Sequence, residues 1–135
     1  MNKKNTKMLL KDFPDLYKQY YLSPTETCMS WGFATEDGWL DLIYELSQKV
    51  ALADPQCEAT QVKQKYGSLR FYTDGCNEDA NKLIHEAEEK SYHICEVCGK
   101  TGIIRNDLPW IRTLCDKHYK EINSPEYLLK RRGLK

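Results

Sequence analysis

Four residues in the C-terminal third of this chain have the types and spacing of a metal site. They are Cys95 and Cys98, then, after sixteen intervening residues, Cys115 and His118. Zinc takes four soft or borderline ligands in a tetrahedron, and two short-spaced pairs deliver them with little backbone strain. Gly99 follows the first pair, where a turn often needs backbone angles that only glycine adopts freely. Cys115 and His118 are three apart, so a helix beginning near 115 sets both on one face. The expectation is one zinc ion held by Cys95, Cys98, Cys115 and His118.

That zinc reads as structural. Four protein ligands close the coordination shell, whereas a catalytic zinc keeps one position for water or substrate. A redox role for the Cys95-x-x-Cys98 pair leaves Cys115 and His118 unexplained, and no thioredoxin-like strand-to-helix pattern surrounds it. A deaminase requires a His-x-Glu or Cys-x-Glu segment ahead of Pro-Cys-x-x-Cys, and none occurs. An HNH-like nuclease would need a histidine on the loop between the ligand pairs, and residues 99–114 contain none. No catalytic residue is assigned: Glu36, Asp37 and Asp41 are carboxylates without a base, nucleophile or metal at a telling spacing. His93 is the one substitute metal ligand, and His85 reads as a surface residue. Cys28, Cys57 and Cys76 show no ligand spacing and read as small buried hydrophobes, because a reducing compartment disfavours disulfides.

A second candidate surface lies at 61–72, where Lys63, Lys65 and Arg70 alternate with Tyr66 and Tyr72. Cations beside aromatic rings suit nucleotides, since the cations meet phosphates and the rings stack on bases. Arg105 and Arg112, in the loop between the ligand pairs, are expected to extend that surface.

The elements that carry these residues follow from periodicity. Residues 6–21 read as one helix or two short ones broken at Phe13-Pro14, with a new helix starting near Pro14. Asp37 is placed to cap a helix over 38–53, where Trp39, Leu42, Ile43, Leu46 and Val50 form one apolar stripe. A β-hairpin is expected over 59–74 with Gly67 near its turn and Val62, Tyr66, Leu69 and Phe71 facing inward. Its register stays open, and a one-residue slip would exchange the faces. Asn77 can cap a third helix over 78–92, buried through Ala80, Leu83, Ile84 and Ala87. Residues 103–105 and 110–113 can pair as short strands, and a last helix runs over 115–123.

The fold class is therefore α+β: helices packed on a β-hairpin or small antiparallel sheet, with a C-terminal zinc unit. The 135 residues divide into a helix and hairpin domain at 1–92, a zinc-binding unit at 93–123 packed on it, and a basic tail at 124–135. The composition, 41% hydrophobic and 30% charged, suits a globular protein rather than a disordered one. A formal net charge of +0 argues against a protein that simply coats nucleic acid. No apolar run spans a membrane, and the N-terminal apolar stretch is too short for a signal peptide, so a cytoplasmic protein is expected.

Two resemblances add to this. A knuckle, a hairpin and a helix bringing the last two ligands resemble the treble-clef zinc motif over residues 93–123. The segments Trp31-Gly-Phe-Ala-Thr-Glu-Asp-Gly-Trp39, Gln61-Val-Lys-Gln-Lys-Tyr-Gly-Ser-Leu-Arg-Phe-Tyr72, Cys95-Glu-Val-Cys98-Gly99 and Trp110-Ile-Arg-Thr-Leu-Cys-Asp-Lys-His118 resemble a set of small, uncharacterised bacteriophage and bacterial proteins. That resemblance implies a phage or mobile-element setting in the host-cell cytoplasm. The resulting expectation is a zinc-stabilised, non-enzymatic protein that recognises nucleic acid or a nucleotide. The alternative is a phage inhibitor of bacterial defence that binds a host protein or sequesters a nucleotide signal.

Overall fold

The computed structural model describes residues 1–124. The basic tail expected at 124–135 lies, beyond Ser124, outside the described residues. The described chain is α+β, with four α-helices and two small sheets. The helices are α1 (Lys3–Asp12), α2 (Leu40–Ala53), α3 (Glu78–Ser91) and α4 (Asp116–Ile122). The strands are β1 (Phe33–Ala34), β2 (Ala59–Lys65), β3 (Ser68–Thr73), β4 (Ile103–Arg105) and β5 (Arg112–Leu114). No helix among the described residues is long and apolar enough to cross a membrane.

The apolar stripe of α2 builds the main core. Leu42, Ile43, Leu46 and Val50 are buried against Val62, Leu69 and Phe71 of the hairpin and Ala80, Ile84 and Ala87 of α3. Trp39 and Tyr17 are fully buried within the same cluster. Tyr17 keeps its hydroxyl satisfied there: Ser47 Oγ donates to the Ile43 carbonyl at 2.7 Å, so the Tyr17 hydroxyl donates to Ser47 at 2.5 Å.

The N-terminal segment departs from the expected second helix. Pro14 disfavours helical angles at Phe13, which adopts φ −129° and ψ 60° and ends α1. The chain then drops Leu16 and Tyr17 into the core and makes only a single 3-10 turn at Lys18–Tyr21. Asp37 does not cap α2 either. Its Oδ1 accepts from the Asn2 backbone at 2.8 Å and the Asn5 amide at 3.1 Å, tying the start of α1 to the start of α2. These bonds, the Asn2 backbone bond first, hold its carboxyl below the ordinary aspartate value.

In the hairpin, Val62 pairs with Phe71 and Gln64 with Leu69, while Lys63 pairs with Arg70 and Gln61 with Tyr72. Tyr66 and Gly67 form the two-residue turn with φ 54° and 86°, the positive pair that a tight hairpin turn requires. Tyr66 therefore stands exposed at the tip and not, as expected, in the inward face. The three-stranded sheet runs β1-β2-β3, and β1 joins parallel to β2 through Phe33 opposite Val62 and Ala34 opposite Lys63. It is a mixed sheet, not a purely antiparallel one. The outer edge of β3 is closed by side chains of α3: Ser91 Oγ accepts from the Leu69 amide at 2.9 Å and Glu88 from the Phe71 amide at 3.0 Å.

Cys57 and Cys76 are joined in a disulfide, with Cα atoms 5.1 Å apart. This corrects the expectation of three unpaired buried cysteines, and Cys28 is exposed rather than buried. The fold brings the two sulfurs together because the base of the hairpin returns residue 76 to the end of α2. Asn77 reinforces that meeting, its backbone donating to Asp54 Oδ2 at 2.9 Å and its side chain to the Ala53 carbonyl at 2.8 Å. A crosslink spanning 19 positions is worth roughly 3 kcal/mol in the chain-entropy model. The double variant Cys57→Ser/Cys76→Ser is expected to lose about that much in urea unfolding. Its metal content should be unchanged, and an unchanged urea midpoint would contradict this account.

Candidate metal centre

The Cys95 segment is a knuckle fixed by its own backbone. Cys95 N donates to the Lys100 carbonyl at 2.7 Å and Gly99 N donates to the Cys95 carbonyl at 2.9 Å. Gly99 sits at φ 81°, the left-handed conformation for which glycine is suited. Cys115 occupies the cap position of α4, and His118 follows in the first turn of that helix. The side-chain ligand atoms of Cys95, Cys98, Cys115 and His118 all lie within 4.8 Å of one another, so the four residues can hold one metal ion. Cys95 is buried and Cys98 exposed, so the cluster sits at the rim of the fold.

The local electrostatics favour a thiolate at Cys115. Its thiol is pushed down to about 6, first by the His118 backbone N–H and then by the His118 ring. The Cys98 thiol moves the other way, raised by desolvation and by the neighbouring sulfurs. A divalent cation between them would stabilise both as thiolates. His118 turns Nδ1 toward the sulfurs, and its Nε2 lies 3.9 Å from Glu121 Oε2. A carboxylate behind a ligating imidazole orients the ring. His93 is exposed and outside the cluster.

The knuckle is welded to the N-terminal half. Gly38 N donates to the Glu96 carbonyl at 2.7 Å, and the buried Trp39 indole donates to the Ile94 carbonyl at 2.9 Å. The β4–β5 hairpin docks on the turn of the β2–β3 hairpin. There Thr113 Oγ1 donates to the Gly67 carbonyl at 2.7 Å and Gln64 Nε2 to the Ile111 carbonyl at 3.0 Å.

Gln64 shares the inward face with Val62, so the metal hairpin lies on that side of the sheet. Lys63, Lys65, Arg70 and Tyr72 project from the other side. The structure therefore brings four of the proposed ligand-binding residues onto one face, with Tyr66 at its tip, and leaves Arg105 and Arg112 apart from them. Both arginines are engaged locally. Arg105 bonds Asp116 at 2.8 Å and the Leu114 carbonyl at 3.0 Å and lies 4.3 Å over the Tyr119 ring. Arg112 lies 3.4 Å from carboxylate oxygens of both Glu36 and Glu96.

Glu96 was not singled out from the sequence, because a glutamate inside a Cys-x-x-Cys turn is usually solvated. Here it is 4% exposed. Burial pushes its carboxyl up from the ordinary value, with Arg112 and the Glu36 backbone N–H opposing that rise. No protein-family model, curated protein or solved structure matches this chain.

Gly38 carries a sharp prediction. A Cβ at this position would sit 2.4 Å from the carbonyl oxygens of Cys95 and Glu96, both main-chain atoms that can move only with the knuckle. Gly38→Ala should cost about 1–3 kcal/mol, as overpacking does. We expect a thermal midpoint lower by several degrees and faster metal loss to a chromophoric chelator. Wild-type values for both would contradict the weld.

Proposed function

We propose that this protein is a zinc-stapled, non-enzymatic module that binds single-stranded nucleic acid on the outer face of its three-stranded sheet. Zinc–sulfur bonds of about 2.3 Å and zinc–nitrogen bonds of about 2.0 Å imply tetrahedral edges near about 3.8 Å for S–S and about 3.5 Å for S–N. The Cys98 and Cys115 sulfurs lie 3.8 Å apart, and His118 Nδ1 lies 3.7 Å from Cys95 and 3.2 Å from Cys115. The order of knuckle, β4–β5 hairpin and α4 supports a treble-clef reading. Four protein ligands leave the ion no open position, which supports a structural role.

One observation carries the binding reading. The fold sets two cation pairs directly across strands, Arg105 opposite Arg112 and Lys63 opposite Arg70. Like charges at paired positions repel. The first pair is neutralised by Asp116, Glu36 and Glu96. The second has no carboxylate partner among the described residues, and Arg70 Nε is buried without a hydrogen bond. A phosphate chain lying along this face would neutralise the Lys63–Arg70 pair.

The rings beside it suit bases. Tyr72 and Tyr66 are exposed, with Lys65 lying 5.5 Å from the Tyr66 ring. Tyr66 holds a left-handed backbone that costs a non-glycine residue of order 1–3 kcal/mol. An exposed aromatic kept there at a cost is the kind of residue a stacking surface needs.

The test is a salt titration of affinity for an oligothymidine strand. Each phosphate contact contributes a slope of about 0.7 in log K against log salt for single strands. Lys63→Ala/Arg70→Ala should weaken binding and flatten that slope by about 1.4. Absence of binding at low salt, or an unchanged slope, would sink the proposal.

A further inference from the structure

On the inward side of the sheet, between β1, the metal knuckle and the loop ahead of β5, lies a cavity of about 390 Å³. That is within the range of small-molecule sites. Its polar groups converge. Arg112 reaches Glu36 and Glu96 at 3.4 Å each, longer than the 2.7–2.9 Å of a strong charge-assisted bond. Those contacts engage Nη2 and Nε only, two of the five N–H groups of the guanidinium, and the others can still donate. Glu36 is half-exposed, and its Oε1 has no partner among the described residues. Thr35 lines the same wall and is 5% exposed, and its buried Oγ1 has no hydrogen-bond partner. Trp110 and Leu108 give the cavity an aromatic and an apolar wall.

We propose that this cavity is a base pocket selective for guanine. Guanine shows two adjacent N–H donors, which one carboxylate accepts as a pair, beside a carbonyl oxygen that a guanidinium donates to. Glu36 and Arg112, held side by side, offer that complement. Adenine presents an acceptor where guanine presents the ring N–H, and so leaves the carboxylate facing a lone pair. Glu96 is a positioning residue: its Oε2 accepts from the Glu36 backbone at 3.2 Å and its Oε1 faces Arg112 Nε at 3.4 Å. The inference goes beyond the sheet-face reading and does not depend on it. The base can belong to a free nucleotide or to a nucleotide turned out of a strand.

Calorimetric titration of the full-length protein with GMP and AMP, and with oligothymidine carrying or lacking one central guanosine, separates these sources. We expect a guanine preference of about ten-fold or more in one of the two comparisons. Preference for GMP assigns a free nucleotide, and preference confined to the strand assigns an extruded base. Glu36→Gln should abolish the preference while thermal unfolding and metal content stay at wild-type values. Equal affinities in both comparisons, or an undiminished preference in Glu36→Gln, would overturn the pocket. Oligothymidine binding that depends on Lys63 and Arg70 without any guanine preference would do the same, while leaving the sheet-face reading intact.

Discussion

The approach of the Gly38 backbone to the carbonyls of Cys95 and Glu96 is the constraint on which the rest of the fold depends. It allows the Gly38 amide to bond the Glu96 carbonyl at 2.7 Å, and it brings the Trp39 indole onto the Ile94 carbonyl. Trp39 is fully buried, and α2 begins immediately after it. The same contact thus anchors the metal knuckle and starts the helix whose stripe organises the main core. Gly99 answers from the other side: a Cβ there would stand 3.0 Å from the Gly38 carbonyl. Two glycines let two main chains pass at a distance no side chain permits. The small apolar cluster around Cys95, Leu108 and Leu114 is separate from the larger core and is tied to it by these main-chain and indole hydrogen bonds.

That junction also sorts the surface. The β4–β5 hairpin closes the inward end of the β2–β3 hairpin, and α3 closes the outer edge of β3. Among the described residues, what stays open is the outer sheet face with Lys63 and Arg70, and the cavity where Arg112, Glu36 and Glu96 meet. Among the described residues of a chain with no net charge, one cation pair is balanced by carboxylates and another is not. The total says nothing about either, because recognition depends on local fields screened within about 10 Å.

Much of the framework was legible in the sequence, for identifiable reasons. Ligand pairs at short spacing, the i, i+3, i+4 stripe of α2 and the Asn77 cap are local signals, and α2, the β2–β3 hairpin, α3, β4, β5 and α4 stand within about two residues of their expected bounds, whereas the helix expected after Pro14 does not form. What the sequence hid was non-local. Cys57 and Cys76 meet only because the hairpin returns on itself, and no spacing rule announces that. Asp37 looks like a cap for α2 but is claimed by Asn2 and Asn5 from the other end of the segment. Phe33 and Ala34 are too short a run to read as a strand, and they are one only because β2 offers an edge. Tyr66 follows the alternation that would bury it, yet turn geometry at Gly67 overrides that alternation. Arg105 and Arg112 looked like part of a basic surface because their carboxylate partners come from distant or helical positions.

An ion held by Cys95, Cys98, Cys115 and His118 would, through the Gly38 junction, brace the whole fold and not its C-terminal unit alone. Hydrogen exchange of the metal-loaded protein, before and after treatment with a strong chelator, tests it most directly. The account predicts that the Trp39 indole and the amides of α2 and β2 lose protection together with residues 94–118. Loss confined to residues 93–123, with α2 and β2 as protected as before, would contradict it.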